Sequence, residues 1–330
     1  MIYLYLENQI LMDYQKFIKL FLKEEIKEYS NEVYKKPLVS VVVLTHNHYP
    51  FISSCLENIL NQQTHFEFEI LLADDDSQDG TKELCLSYAK KHPAKIRFFP
   101  HKKSNNIKIE KLNTGIFNAL YSFYEARGQY IAYCDGDDFW TDKYKLEKQV
   151  KFLEENKSYV LCYHEVKYLK SNNEVAEIEP IRKDLSSLEL IQIIRQPLMN
   201  TVCFRNLLTN YPVEITKVLN ADNFFVSILG KYGGGKFLEN IKPSIYRIHQ
   251  GGIWSMISEE EKFIHKIKTF KSLASYYRNH NPKISLYFAQ KTNTYYKSLI
   301  YRHFIKKEYK KALIKFVEYL NFQGFKILSI

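Results

Sequence analysis

Glycine and proline are scarce, at 11 and 9 of 330 residues, so neither a collagen-like repeat nor a low-complexity chain fits. No run approaches the ~18 consecutive apolar residues of a membrane span. The best candidate, 38–44, is long enough only for a buried strand. The opening residues do not read as a secretory leader. They have no basic start, and Glu7, Asn8 and Asp13 interrupt any apolar stretch. Cysteines are few: Cys55, Cys85, Cys134, Cys162 and Cys203 are an odd number, widely spaced, with no C-x-x-C pair. This speaks for reduced thiols and a cytoplasmic setting, against a disulfide framework or a zinc site. The phosphate-loop signature G-x-x-x-x-G-K-[ST] is absent as well.

Hydrophobic residues make up 45% of the chain and charged residues 25%, enough to bury a core and to exclude disorder. The length suits two compact domains, or one large domain with an appendage. Charge is uneven. Of the net +10, residues 262–330 carry +13 (15 Lys plus Arg against 2 Glu), leaving the rest at −3. A nearly neutral body with a basic tail says something about a partner of the tail.

Periodicity sets the organisation. Tyr14, Phe17, Ile18, Phe21, Leu22, Ile26 and Tyr29 recur at helical spacing, so 1–36 reads as an N-terminal helical segment ended by Pro37. Residues 38–44 are β-branched and apolar apart from Ser40, the pattern of a strand buried on both faces. Helix is expected over 49–62, 81–91 and 113–126, and strand over 68–73, 96–99 and 130–134. This alternation predicts a doubly wound α/β fold with a mostly parallel sheet. Beyond 150 the pattern loosens, with strands at 159–168 and 201–204, a helix at 186–194, and a turn or flexible loop at Gly233-Gly234-Gly235. From Glu259 onward only helices are expected.

Ligands of such sheets bind beyond the carboxyl ends of the strands. Three polar clusters fall there: Thr45-His46-Asn47, Asp74-Asp75-Asp76 and Asp135-Gly136-Asp137-Asp138. Two carboxylates flanking a glycine suit Mg2+ or Mn2+ shared with a diphosphate; a solvated acidic turn is the plainer alternative. Asp75 could accept a hydrogen bond from a base N–H, whereas Asp79 and Thr81 read as turn and cap residues. Asn113 and Asn118 either line the same pocket or open a helix. Lys102, Lys103, Lys108 and Lys111 read as a solvated loop.

Taken together, the segments 39–47, 69–81 and 130–140 resemble family-2 glycosyltransferases of bacterial type, with similarity resuming at 198–205 and 220–255. The resemblance implies a GT-A domain over 37–257, with the 1–36 segment and a basic helical extension, 258–330, outside it. It implies that Thr45 and Asn47 border the nucleotide, that Asp75 reads the base, and that Asp135 and Asp137 form a D-x-D motif holding ribose, diphosphate and metal. Asp76 stands where the family usually has Gly. Asp222 falls at the position of the catalytic base, although a helix N-cap is an equal structural role for it. Arg247 could pair with the diphosphate and His249 could complete the metal shell, with Gly251-Gly252 beside it suggesting a lid.

The expected activity is therefore metal-dependent, inverting transfer of a hexosyl group. The donor is a nucleotide-diphosphate sugar, UDP-linked by expectation. The acceptor is a hydroxyl of a glycan or lipid-linked molecule, in bacterial surface polysaccharide or glycoconjugate synthesis. Two rivals stand beside it: a nucleotidyl or phosphoryl transferase, and a nucleic-acid-binding protein with a basic tail. No nucleic acid is expected as a partner, because no recognised module is present. In the tail, Tyr309, Ala312, Leu313, Phe316, Val317 and Leu320 share one helical face, with Lys307, Lys310, Lys311 and Lys315 opposite. That face either packs on the rest of the protein or lies on an anionic membrane surface, placing the enzyme at the inner face of the membrane.

Overall fold

A computed structural model of the chain describes residues 11–110, 112–170, 174–176, 179, 181–252, 254 and 257–327. Lys111 lies outside these, as do 253 and 255 of the similar segment 220–255 and 1–10 of the N-terminal segment. The chain divides into two compact units, one of Leu11–Tyr211 with Phe225–Ser255, the other of 212–224 with the C-terminal helices.

The larger unit is built on a seven-stranded sheet. Its strands are β1 (Val39–Thr45), β2 (Phe68–Asp75), β3 (Ile96–His101), β4 (Tyr130–Asp135), β5 (Tyr159–Tyr163), β7 (Cys203–Arg205) and β8 (Gly234–Phe237). Their order is β8-β5-β7-β4-β1-β2-β3. Strands β3, β2, β1 and β4 run parallel, and β7 is antiparallel to both its neighbours. Strand β6 (Val166–Lys170) lies outside this sheet and pairs in parallel with β9 (Ser244–Ile248). The expected strand 159–168 is thus two strands that belong to different sheets. Gly233-Gly234-Gly235 does not form a loop alone, since Gly234 opens β8.

Every residue of β1 and β2 is buried, as strands covered on both faces require. Helix α2 (Ile52–Leu60) supplies Ile52, Cys55, Leu56 and Ile59 at i, i+3, i+4 and i+7 to this core, and helices α4 (Ile116–Glu125), α5 (Lys145–Glu155) and α6 (Ser187–Ile191) come later in the chain. Helix α3 (Thr81–Lys91) begins after Gly80, which holds the N-cap position at φ 95; Asp79 accepts from Thr81 N and Oγ1 as the expected turn residue, whereas Thr81 is the first helical residue and not the cap. All five cysteines are free and buried. The polar exception in β1 has a partner: Ser40 Oγ donates to Glu69 at 2.6 Å, and Glu69 lies 3.4 Å from the guanidinium of Arg97.

The N-terminal segment corrects the sequence expectation. Among its described residues only α1 (Tyr14–Phe21) is helical; 22–36 is not. The reason is a competing set of tertiary partners. Tyr29 N–H donates to the Phe98 carbonyl on the open edge of β3, and Glu28 pairs with Arg97 at 2.7 Å. Strand-edge and ion-pair partners thus replace helical hydrogen bonds.

In the smaller unit, helices α8 (Glu259–Tyr277), α9 (Pro282–Ile305) and α10 (Tyr309–Ile327) follow one another. Helix α10 packs through Tyr319 and Phe322 against Tyr296 of α9. The six-residue face picked out from the sequence stays mostly exposed: Ala312 is buried and Tyr309 meets Phe304 of α9, but Tyr309, Leu313, Phe316, Val317 and Leu320 are all exposed, Leu313 by 63%. Tyr301, Phe304 and Ile305 at the end of α9 are exposed as well. Among the described residues no helix is long and apolar enough to cross a membrane.

Candidate active site

The parallel register brings the ends of β1, β2 and β4 level, pairing Thr45 with Asp74 and Leu44 with Asp135. The loops beyond these ends, together with the end of β9, form one cluster of polar groups. Gly136 permits it, because a Cβ there would stand 2.8 Å from the Thr45 side chain.

Asp137 is the centre. His249 Nε2 lies 2.9 Å from its Oδ2, and His48 Nε2 lies 3.6 Å from the same oxygen. The three donor atoms all fall within 4.8 Å of one another. Burial would raise the Asp137 carboxyl, but the His249 hydrogen bond and the neighbouring His48 outweigh it and hold the carboxyl below its usual range. Burial also pushes the His48 imidazole below its usual value, against the pull of Asp137, which favours the neutral ring. Sequence reasoning chose Asp137 and His249 and passed over His48, whose only signal was its place three residues beyond the end of β1.

The adjacent carboxylates have different surroundings. Asp138 is buried, and accepts from Arg247 N and from Asn200 Nδ2, each at 2.9 Å. Burial, with Asp137 and Asp135 close by, drives it well above the usual carboxylate range. Asp138 thus latches β9 to the loop after β4, a task helped by the Phe139–Ile245 backbone pair. Asp135 accepts from Tyr133 Oη at 2.7 Å. Arg247 donates to the Asp137 carbonyl at 2.6 Å, and its guanidinium sits over the rings of Phe139 and Phe51.

At the end of β2, Asp75 is buried, and its Oδ2 accepts from Asn106 at 2.9 Å. Burial raises the carboxyl, and the Asn106 amide that donates to it, with the Asn118 amide nearby, draws it partly back. Asp75 Oδ1 and Thr45 Oγ1 are both buried without a hydrogen-bond partner, a condition that costs free energy unless a ligand supplies one. Asn47 is exposed and left-handed at φ 55. Its backbone N–H donates to Ser77 Oγ and its Oδ1 accepts from Gln78 N, so it ties the first loop to the second. Asp76 also takes the left-handed conformation, at φ 55, where the family's glycine would stand. Lys102, Lys103 and Lys108 are exposed, as a solvated loop should be.

Asp222 lies in the first turn of α7 (Ala221–Leu229), in the part of that helix assigned to the smaller unit, and its side chain is exposed.

Comparison with known proteins decides the family. The model of "Glycosyl transferase family 2" matches residues 40–215, more than half of the chain. The chain belongs to that family. An uncharacterised protein of Mycobacterium tuberculosis is 30% identical over 231 residues, 68% of this chain and 63% of that protein. The match thus spans less than two thirds of that curated relative. Among solved structures, Staphylococcus aureus TarS 1-349 aligns with TM-score 0.57 at 16% identity, over 86% of this chain and 79% of that one; it has also been solved with UDP-GlcNAc. The mannosyltransferase PcManGT of Pyrobaculum calidifontis, in complex with GDP-Man and Mn2+, aligns with TM-score 0.51 at 16% identity, over 91% of this chain and 79% of that one. These two likenesses establish the GT-A fold of this chain.

Proposed function

We propose that this glycosyltransferase is a metal-dependent, inverting hexosyltransferase that moves a sugar from a nucleotide-diphosphate sugar, UDP-linked by preference, to a hydroxyl of a glycan or lipid-linked acceptor. The observation that carries it is the convergence of imidazole on the Asp137 carboxylate, at the sheet edge where Asp75 and Thr45 hold unpartnered oxygens.

The donor set fits a divalent cation. A carboxylate oxygen and an imidazole nitrogen, 2.9 Å apart, suit Mg2+ or Mn2+ with room left for phosphate oxygens. Asp137 and His249 are the residues to hold it. When bound, such an ion neutralises charge that builds on the departing nucleoside diphosphate. His249 also carries a constraint. Gly251 N–H donates to its Nδ1, which leaves the ring proton on Nε2. Ligation through Nε2 requires that proton on Nδ1, and hence the Gly251 N–H turned away.

The other residues divide the work. Asp75 Oδ1 accepts from the base, Thr45 and Asn47 border the nucleoside, and Asp135 takes the ribose. Arg247 sets the Asp137 loop and lends positive charge to the diphosphate. Asp222 removes the proton of the acceptor hydroxyl as that oxygen attacks the anomeric carbon from the face opposite the leaving group, so configuration inverts. The exposed aromatic and aliphatic face of α9 and α10, set among lysines, is the surface we propose to rest on an anionic membrane at the cytoplasmic side.

A thermal-shift panel of nucleoside diphosphates and their sugars, with and without Mn2+, tests the reading. UDP and its sugars should raise Tm only with the metal. Equal shifts with EDTA present would refute metal dependence.

A further inference from the structure

The proposed cation site has a third donor that its two expected ligands do not account for. His48 Nε2 stands 3.6 Å from Asp137 Oδ2, too far for a hydrogen bond. Its Nδ1 is buried and also has no hydrogen-bond partner. A largely buried imidazole with neither nitrogen hydrogen-bonded needs a reason, and its direction supplies one: Nε2 converges on the same carboxylate oxygen as His249 Nε2.

The spacing suits coordination. Two donors in adjacent positions on one six-coordinate ion, each about 2.1 Å from it, stand about 3 Å apart. The Asp137–His249 separation of 2.9 Å meets this, and 3.6 Å for His48 comes within a small side-chain adjustment. The two imidazole rings meet nearly edge to face at 84°. Phe51 packs against His249 at 4.9 Å between ring centres, forming an apolar wall on one side. The three donors come from three segments: the loop after β1, the loop after β4 and the end of β9.

We propose that His48 completes a two-imidazole, one-carboxylate donor set with Asp137 and His249, and that this set selects a first-row transition ion such as Mn2+ or Co2+ over Mg2+. The inference rests on the reading that Asp137 and His249 hold the cation. Imidazole binds transition ions well, whereas Mg2+ prefers oxygen and gives up water reluctantly. Three protein donors would leave the remaining positions of such an ion for diphosphate oxygens and water. One nitrogen more than the expected pair therefore shifts metal preference, and a set of only three protein donors would not close the site as a structural one is closed.

The experiment uses the full chain with saturating UDP. Mn2+ binding is read from loss of the free-ion EPR signal, and Mg2+ by competition, in the wild type, H48N and D137N. The wild type should hold Mn2+ more tightly than Mg2+. His48→Asn should weaken Mn2+ by roughly tenfold or more, the scale on which lost ligand-sphere interactions are felt, and Mg2+ much less. D137N should lose both. Pulsed EPR of Mn2+ in the wild type counts coordinated imidazole nitrogens and needs no variant, which covers the case of a poorly folded H48N. Two nitrogens support the proposal, and one overturns it. If H48N keeps wild-type Mn2+ affinity while D137N loses it, His48 is no ligand and the two-ligand reading stands. If the wild type binds neither ion in the presence of UDP, GDP or their sugars, both readings fall.

Discussion

Arg247 Nη1 donates to the main-chain carbonyl of Asp137 at 2.6 Å, while the backbone N–H of Arg247 donates to Asp138 at 2.9 Å. One residue of β9 thereby fixes both acidic residues of the loop after β4: its backbone N–H holds the Asp138 carboxylate, and its side chain holds the Asp137 main chain. The Asp137 carboxylate is left free to face the two imidazoles. Replacing Arg247 by Met should therefore loosen the loop. It should raise the metal concentration needed for half-maximal activity and the donor KM more than it lowers kcat at saturating metal. Steady-state kinetics across a Mn2+ series would show this, and a loss confined to kcat would argue against a positioning role.

Asp137→Asn should abolish transfer and the metal-dependent part of nucleotide stabilisation. Tm without metal should stay close to wild type, because the carboxylate is not a core partner. Full activity of the wild type in EDTA would remove the basis of this expectation.

Asp222→Asn should keep donor binding and lose turnover by roughly 10²–10⁴-fold, the usual worth of general-base catalysis. Its exposure in the first turn of α7 makes any change in stability small. Near-wild-type turnover would move the base elsewhere.

Arg97 is 1% exposed and meets Glu28, Glu69 and Glu125. Arg97→Met leaves the fully buried Glu69 uncompensated and should destabilise the protein by roughly 3–5 kcal/mol. Burial opposes ionisation of Glu28, but Arg97 outweighs it and holds this carboxyl below its usual value. The unfolded chain consequently takes up the proton first as pH falls. Stability from this pair is present above the ordinary carboxylate range and lost as pH drops through the folded value. Urea midpoints at pH 7 and pH 4 should fall less in Glu28→Gln than in wild type. Parallel losses would show that the pair contributes nothing to acid sensitivity.

Phe316→Ser with Leu320→Ser removes two exposed apolar groups from α10 and should leave Tm nearly unchanged. Wild type should sediment with anionic liposomes at low salt, less at high salt, and the double variant should stay in the supernatant. Equal sedimentation of the two proteins would exclude this face as the membrane contact.

The sheet and its edge were legible from local pattern alone. The β-branched run at 38–44, the alternation with helices and the carboxylates at strand ends are properties of neighbouring residues, and burial on both faces leaves a parallel strand few alternatives. Tertiary structure decided three other matters. The 22–36 segment is not a helix, because the edge of β3 and Arg97 offered its backbone and Glu28 better partners. The apolar face of α10 stays mostly exposed, because α10 meets Tyr296 of α9 through Tyr319 and Phe322, which lie outside that face. His48 joins His249 and Asp137 only because β1, β4 and β9 end at one place, although His249 and Asp137 are 112 residues apart in the chain. Periodicity records which way a side chain faces within its own element; it holds no information on which distant side chain will face it.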